Sequence, residues 1–180
     1  MSNILVVTGS VRPNSTNEKI VPLVVGEVET QGATITIADL KELTMPFFDS
    51  PSSPSAPDFE ATDETVKVWT QLVANADGVI LVTPEYNHTL SPVQMNAIDW
   101  VGKEWNGKPV GLVGYGWGTG GGQAHDAARE ALSAVLQAKV ADVQANLFFG
   151  KDLNADGSVA DEAAVKTKIA ASVTDLLANI

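Results

Sequence analysis

Five short apolar runs bounded by turn residues recur along the chain, at Ile4 to Val7, Thr34 to Ile37, Gly78 to Thr83, Pro109 to Gly114 and Val140 to Ala145, and they predict five strands. Between them lie segments with helical spacing of their apolar positions: Asn17 to Gln31, Asp63 to Ala76, Pro92 to Val101, Gly122 to Lys139 and Asp161 to Asn179. Strands therefore alternate with helices throughout. The run Gly78 to Thr83 has no polar alternation, which suits a central strand covered on both faces. A three-layer α/β sandwich around a five-stranded parallel sheet is expected, with strand order 2-1-3-4-5. In such a sheet ligands bind at the carboxyl ends of the strands, where the order reverses between strands one and three.

That expectation directs attention to the loops after strands one, three and four. The first reads Gly9-Ser10-Val11-Arg12-Pro13-Asn14-Ser15-Thr16-Asn17, with small hydroxyls and one guanidinium at a strand-to-helix turn. Helix N-termini offer unpaired N–H groups and partial positive charge, and an Arg can grip two phosphate oxygens, so a phosphate-bearing ligand is expected here. Ser15 to Glu18 also fits a capping box, which would make Ser15 the helix cap. After strand three come Thr83-Pro84-Glu85-Tyr86-Asn87-His88-Thr89 and then Ser91-Pro92, a helix cap followed by a first-turn proline. Tyr86 and Asn87 suit the face and edge of a planar heteroaromatic group, although Asn87 is equally a turn former. After strand four, Tyr115-Gly116-Trp117-Gly118-Thr119-Gly120-Gly121-Gly122-Gln123 lets backbone N–H groups approach a flat ligand closely.

The composition narrows the chemistry. The 180 residues, 44% hydrophobic, fit one domain, residues 1–180. No run is long and apolar enough for a membrane helix and no signal peptide is evident, so a cytoplasmic protein is expected. There is no cysteine, which excludes disulfides and thiol redox chemistry and leaves electron transfer to a bound cofactor. A formal charge of −11 disfavours nucleic acid and anionic membranes as partners.

Three further patterns carry less. Gly116, Gly118 and Gly121 match a dinucleotide fingerprint with Asp142 downstream, but that fingerprint belongs to the first strand-helix turn. Asp152-Leu153-Asn154-Ala155-Asp156-Gly157 begins like a calcium loop, yet its twelfth position is Ala163 and Glu162 falls one place early, so a polar turn is expected and no metal. His88 and His125 are the only histidines, and His88 lies beside the proposed ring site, where it could face substrate. The segment from Asp39 to Ala61, with Pro46, Pro51, Pro54 and Pro57, reads as a long surface loop. Its Ser/Pro-rich centre, residues 50–57, reads as a mobile linker, and Met45 to Asp49 as a lid or subunit contact.

Taken together, Gly9-Ser10-x-Arg12-x-x-Ser15-x-Asn17, Thr83-Pro84-Glu85-Tyr86-Asn87 with Asn96-Ala97-Ile98-Asp99-Trp100, and more loosely Pro46-Phe47-Phe48-Asp49 and the glycine loop, resemble the NAD(P)H-dependent FMN reductase family of flavodoxin-like quinone, azo and chromate reductases. The resemblance covers most of the chain. It implies a flavodoxin-like fold and FMN as cofactor, with Ser10, Arg12, Ser15 and Asn17 holding the phosphate. Pro84, Glu85, Tyr86, Asn87, Gly116, Trp117 and Gly118 would border the isoalloxazine ring. It further implies NAD(P)H as co-substrate, a small-molecule acceptor such as a quinone or azo compound, ping-pong turnover, and a homodimer or homotetramer with the proline-rich loop and Ser91 to Trp105 near the interface. The chain differs from the family's usual pattern at Ser91-Pro92, Met95, Trp117 and Gln123. Two other classes are a flavodoxin-like electron carrier, which NAD(P)H alone would not reduce, and a flavin-free phosphate-binding module, which would not retain FMN.

Overall fold

β3 (Gly78–Pro84), buried along its whole length, is the centre of the sheet in a computed structural model that describes residues 1–180. Around it run β1 (Asn3–Thr8), β2 (Thr34–Ala38), β4 (Pro109–Gly116), β5 (Lys139–Val140) and β6 (Ala145–Phe148), all parallel. The order is β2-β1-β3-β4-β5, with β6 also paired to β4, so this is a flavodoxin-like α/β sandwich.

Strand alternation divides the core. Leu5, Val7, Val79 and Leu81 point to the face covered by α2 (Glu64–Asn75), α3 (Pro92–Asp99) and α4 (Gly122–Ala134), where Trp69, Ile98 and Leu132 pack. Their neighbours Ile4, Val6, Ile80 and Val82 point to the other face, against Ile20 and Val24 of α1 (Asn17–Thr30) and Ile169 and Val173 of α5 (Glu162–Ala178).

The fifth strand differs from expectation. Instead of one run from Val140 to Ala145 it is two pieces, β5 against Pro109 and Val110 and β6 against Val113 to Gly116. Side chains on two helices account for the break. Arg129 of α4 donates to the carbonyls of Val140 (3.1 Å) and Ala141 (2.7 Å), and the N–H of Val143 donates to Asp175 of α5 (2.8 Å). These backbone groups are thereby satisfied off the ladder. α4 also stops at Ala134 rather than Lys139, and Gln137 adopts a positive φ of 58° in the turn into β5.

The proline-rich loop is tied down. Pro46 O accepts from Asn96 Nδ2 (2.9 Å) and Trp100 Nε1 (2.8 Å), and Asn96 Oδ1 accepts from Phe48 N (2.9 Å). Phe48 meets Trp100 edge-on at 4.9 Å. The Ser/Pro centre lies on the chain after α3, since a Cβ on Gly102 would come within 2.3 Å of the Pro54 carbonyl. This segment is packed backbone against backbone, which the reading as a free linker did not foresee.

Candidate functional site

A cleft of about 350 Å³ opens at the carboxyl ends of β1, β3, β4 and β6. Loop one forms one wall, from Ser10 and Arg12 to Thr16. Pro84 to Tyr86 and Tyr115 to Trp117 form two others. The turn of loop one passes through Asn14 at φ 54°, and the N–H groups of Ser15, Thr16 and Asn17 at the start of α1 find no acceptor in the chain. The Ser10 hydroxyl takes the Arg12 N–H (3.3 Å) and bonds to the Tyr86 hydroxyl (3.0 Å), which joins the loops after β1 and β3.

Two details of loop one depart from expectation. Ser15 does not cap α1: the N-cap is Thr16, without a side-chain cap bond, and Ser15 contributes only its carbonyl, to Glu18 N (3.0 Å). Its hydroxyl is left uncommitted beside the cleft. Asn17 turns its amide inward, where it is 2% exposed. Nδ2 donates to Val82 O (3.3 Å), and Oδ1 accepts from the Tyr115 hydroxyl (2.5 Å). Asn17 thus braces β3, β4 and α1 together, and only its backbone N–H remains for a ligand. Burial, with Tyr86 nearby, pushes the Tyr115 phenol far above its ordinary range, so it stays a donor.

In the second loop, Glu85 keeps a carboxylate that is only 8% exposed. It caps α4, accepting from Gln123 N (3.2 Å) and from the Thr119 hydroxyl. Asn87 and His88 are the two central residues of a tight hairpin. Tyr86 N donates to Thr89 O (3.0 Å), Thr89 N to Tyr86 O (3.1 Å), and both central φ angles are positive, 50° and 65°. Asn87 is therefore placed as a turn former at an exposed tip rather than in the cleft wall. His88 is bonded through Nδ1 to Gln123 Oε1.

In the third loop Gly116 lines the cleft with its backbone, whereas Gly118 is exposed in open space. Trp117, 66% exposed, stacks on Phe149 at 5.1 Å and 26° between planes, and Phe149 meets Tyr115 edge-on at 6.2 Å. Asp142 is fully exposed, 4.0 Å from Arg129, and does not line the cleft.

The fourth wall, Phe149 with Ala155, Asp156 and Gly157, was missed by the sequence reading. The run Asn146-Leu147-Phe148-Phe149 before Gly150 would have announced a strand end at Phe149, had the fifth strand been set there. The calcium-like stretch supplies the rest of this wall. Burial would raise the Asp152 carboxyl, but Lys168 (2.7 Å) and Phe148 N (2.8 Å) outweigh it and hold the group below the usual carboxylate range. Asp152 is thus spent on pinning the turn. Gly157, at φ 82°, presses on loop one so closely that a Cβ would fall 2.4 Å from Thr16 Oγ1.

The donor set fits a flavin phosphate: free amides at a helix N-terminus, the Ser10, Ser15 and Thr16 hydroxyls and Arg12, beside an aromatic wall of Tyr86, Trp117 and Phe149. Comparison with known proteins agrees with that chemistry. Residues 2–151 match the family model described as NADPH-dependent FMN reductase. The chain is 33% identical over 170 residues to an NAD(P)H-dependent FMN reductase of Schizosaccharomyces pombe, covering 92% of this chain and 82% of that protein. It is 31% identical over 137 residues to a quinone reductase of Pseudomonas putida, covering 72% of this chain and 69% of that protein. A solved flavoenzyme NAD(P)H:(acceptor) oxidoreductase from Paracoccus denitrificans has the same fold, with a TM-score of 0.76 at 23% identity over 99% of both chains. By the extent of the family match, the chain belongs to the NADPH-dependent FMN reductase family, a family of oxidoreductases.

Proposed function

We propose that the protein holds FMN in this cleft and turns over NAD(P)H against a quinone, azo compound, flavin or similar acceptor by a ping-pong mechanism. The observation that carries the reading is the joining of a phosphate-binding helix start to an aromatic-walled cleft through the Ser10–Tyr86 hydrogen bond. Bound FMN would supply the chemistry, taking a hydride from NAD(P)H and returning electrons to the acceptor. The chain's own work is to bind and orient. Arg12, the hydroxyls of Ser10, Ser15 and Thr16, and the amides of Ser15 to Asn17 hold the phosphate. Pro84 to Tyr86 and Gly116 to Trp117 bound the flat end, and Tyr115, kept protonated, fixes Asn17 beneath both.

The test is anaerobic. FMN-loaded protein should lose its oxidised visible absorption on addition of NADPH or NADH and regain it with a quinone. Bound flavin that stays coloured would sink the reductase reading in favour of an electron carrier, and failure to retain flavin would remove both. Arg12→Ala should weaken FMN binding roughly tenfold to a hundredfold, the loss expected of a charge-assisted bond to phosphate. Unchanged affinity would take Arg12 out of the site.

The same reading includes a homodimer or homotetramer, located in the cytoplasm. Phe47 (79% exposed) and Trp117 (66% exposed) present apolar surface on the tethered loop and at the cleft, which supports assembly there. Sedimentation equilibrium should give two or four chain masses; a monomer at micromolar concentration would overturn this part. No helix is long and apolar enough to cross a membrane.

A further inference from the structure

The charges around the cleft work against the ligand they surround. Arg12 is the only cation in its wall, while two carboxylates, Glu85 and Asp156, line it in a chain of formal charge −11. Glu85 accepts from the Thr119 hydroxyl and from Gln123 N at the N-terminus of α4. Asp156 is bonded only to Ser158 of its own turn. It stands at the cleft rim on the turn whose Gly157 abuts Thr16, beside the first turn of α1 where the amides are unpaired. Its carboxylate accepts from Ser158 N (2.9 Å) and Ser158 Oγ (2.6 Å), and those bonds hold it below the usual carboxylate range, with burial opposing weakly and Lys19 adding a small favourable field. It is an anion throughout the neutral range. Residue 156 also lies past the segment, 2–151, that matches the family model.

We infer that Asp156 is a specificity-determining residue: it opposes the phosphate that Arg12 and the loop-one amides attract, and so sets how strongly the cleft prefers a flavin phosphate to an uncharged flavin. The inference rests on the reading of loop one as the phosphate site. A dianionic phosphate feels the carboxylate's field, whereas riboflavin, with the same ring and ribityl chain, does not. Because Asp156 is exposed, water and salt screen the effect, which is a tuning of affinity rather than a block.

The experiment compares FMN and riboflavin dissociation constants, by quenching of flavin fluorescence, in the wild type, Asp156→Asn and Ser158→Ala. Asparagine keeps an acceptor for Ser158 and removes the charge. Asp156→Asn should tighten FMN about threefold to tenfold and leave riboflavin within about twofold, and the gain should shrink in roughly 0.5 M salt. Ser158→Ala, which loosens the turn but keeps the charge, should not reproduce that selective gain. An equal shift of both flavins in Asp156→Asn, or none in either, would overturn the role of Asp156. A wild type that holds FMN and riboflavin equally would instead overturn the phosphate reading of loop one, and the inference with it.

Discussion

Gly121→Ala is expected to destabilise the fold by about 3 kcal/mol or more, the range reached when a strained backbone conformation and a core clash coincide. Gly121 sits at φ 95° as the N-cap of α4. A Cβ there would meet the Cα and carbonyl carbon of Gly114 and the N of Tyr115, each at 2.6 Å. The left-handed angle alone costs an L-residue about 1–2 kcal/mol. The clash adds more, because the opposing atoms are the backbone of β4 and cannot swing aside. α4 would have to lift away from β4, taking with it the Glu85 bond to Gln123 N. Gly118→Ala is the control, since Gly118 has no positive φ and a Cβ added there would meet nothing within 4 Å; its effect should stay within about 0.5 kcal/mol. Urea unfolding of both variants decides the matter. Equal midpoints would show that α4 does not need this close approach.

Stability is also expected to fall by about 3 kcal/mol between pH 6.5 and pH 4, and His125→Leu should remove most of that slope. His125 of α4 is completely buried against Gly114, and neither ring nitrogen has a hydrogen-bond partner. Burial, with Arg129 adding to it, pushes the imidazole down from 6.5 to about 4. The folded protein therefore holds the ring neutral where the unfolded chain would protonate it. Its full stability is present above pH 6.5 and declines as pH falls, at up to about 1.4 kcal/mol per pH unit. The decline halves in slope near pH 4 and ends below it, where both states carry the proton. Asp152 acts lower: its folded carboxyl lies below the ordinary 3.8, so its contribution is complete above that value and is lost as pH falls through the folded value. The difference between wild type and His125→Leu at pH 7, 5.5 and 4.5 thus isolates the imidazole. Leucine forfeits no hydrogen bond, since the ring makes none, and a parallel decline of the two proteins would refute the assignment.

Gly121 and His125 also show why the G-x-G-x-x-G pattern misleads here. Its last glycine serves the seating of a helix on a strand, a need that a linear spacing cannot distinguish from pyrophosphate binding. The position of loop one between β1 and α1 was legible because strand, turn and helix signals all converge on it. The direction in which Asn17 points was not, since it depends on Val82 and Tyr115, far away in sequence. Ser15 was expected to cap α1 because the capping box is a pattern of residue types, whereas the helix begins one residue later and leaves that hydroxyl free. The parallel sheet could be read from the alternation of strands and helices, and its order from the flavodoxin-like arrangement of five strands. The break in its last strand could not, because it is made by Arg129 and Asp175, which reach in from two helices. Misplacing that strand hid Phe149, and the calcium-like spacing of Asp152 to Gly157 hid the turn that closes the cleft.

The Arg129 clamp has a bearing on how copies of this protein can meet. An edge strand normally offers a neighbour an unbroken row of N–H and C=O groups on which to continue the sheet. On this edge, β5 is two residues long and β6 four, and two of the carbonyls at the break are already taken by a guanidinium. A second chain arriving there finds no template of useful length. Fibre-like extension of the sheet along this edge is thereby disfavoured.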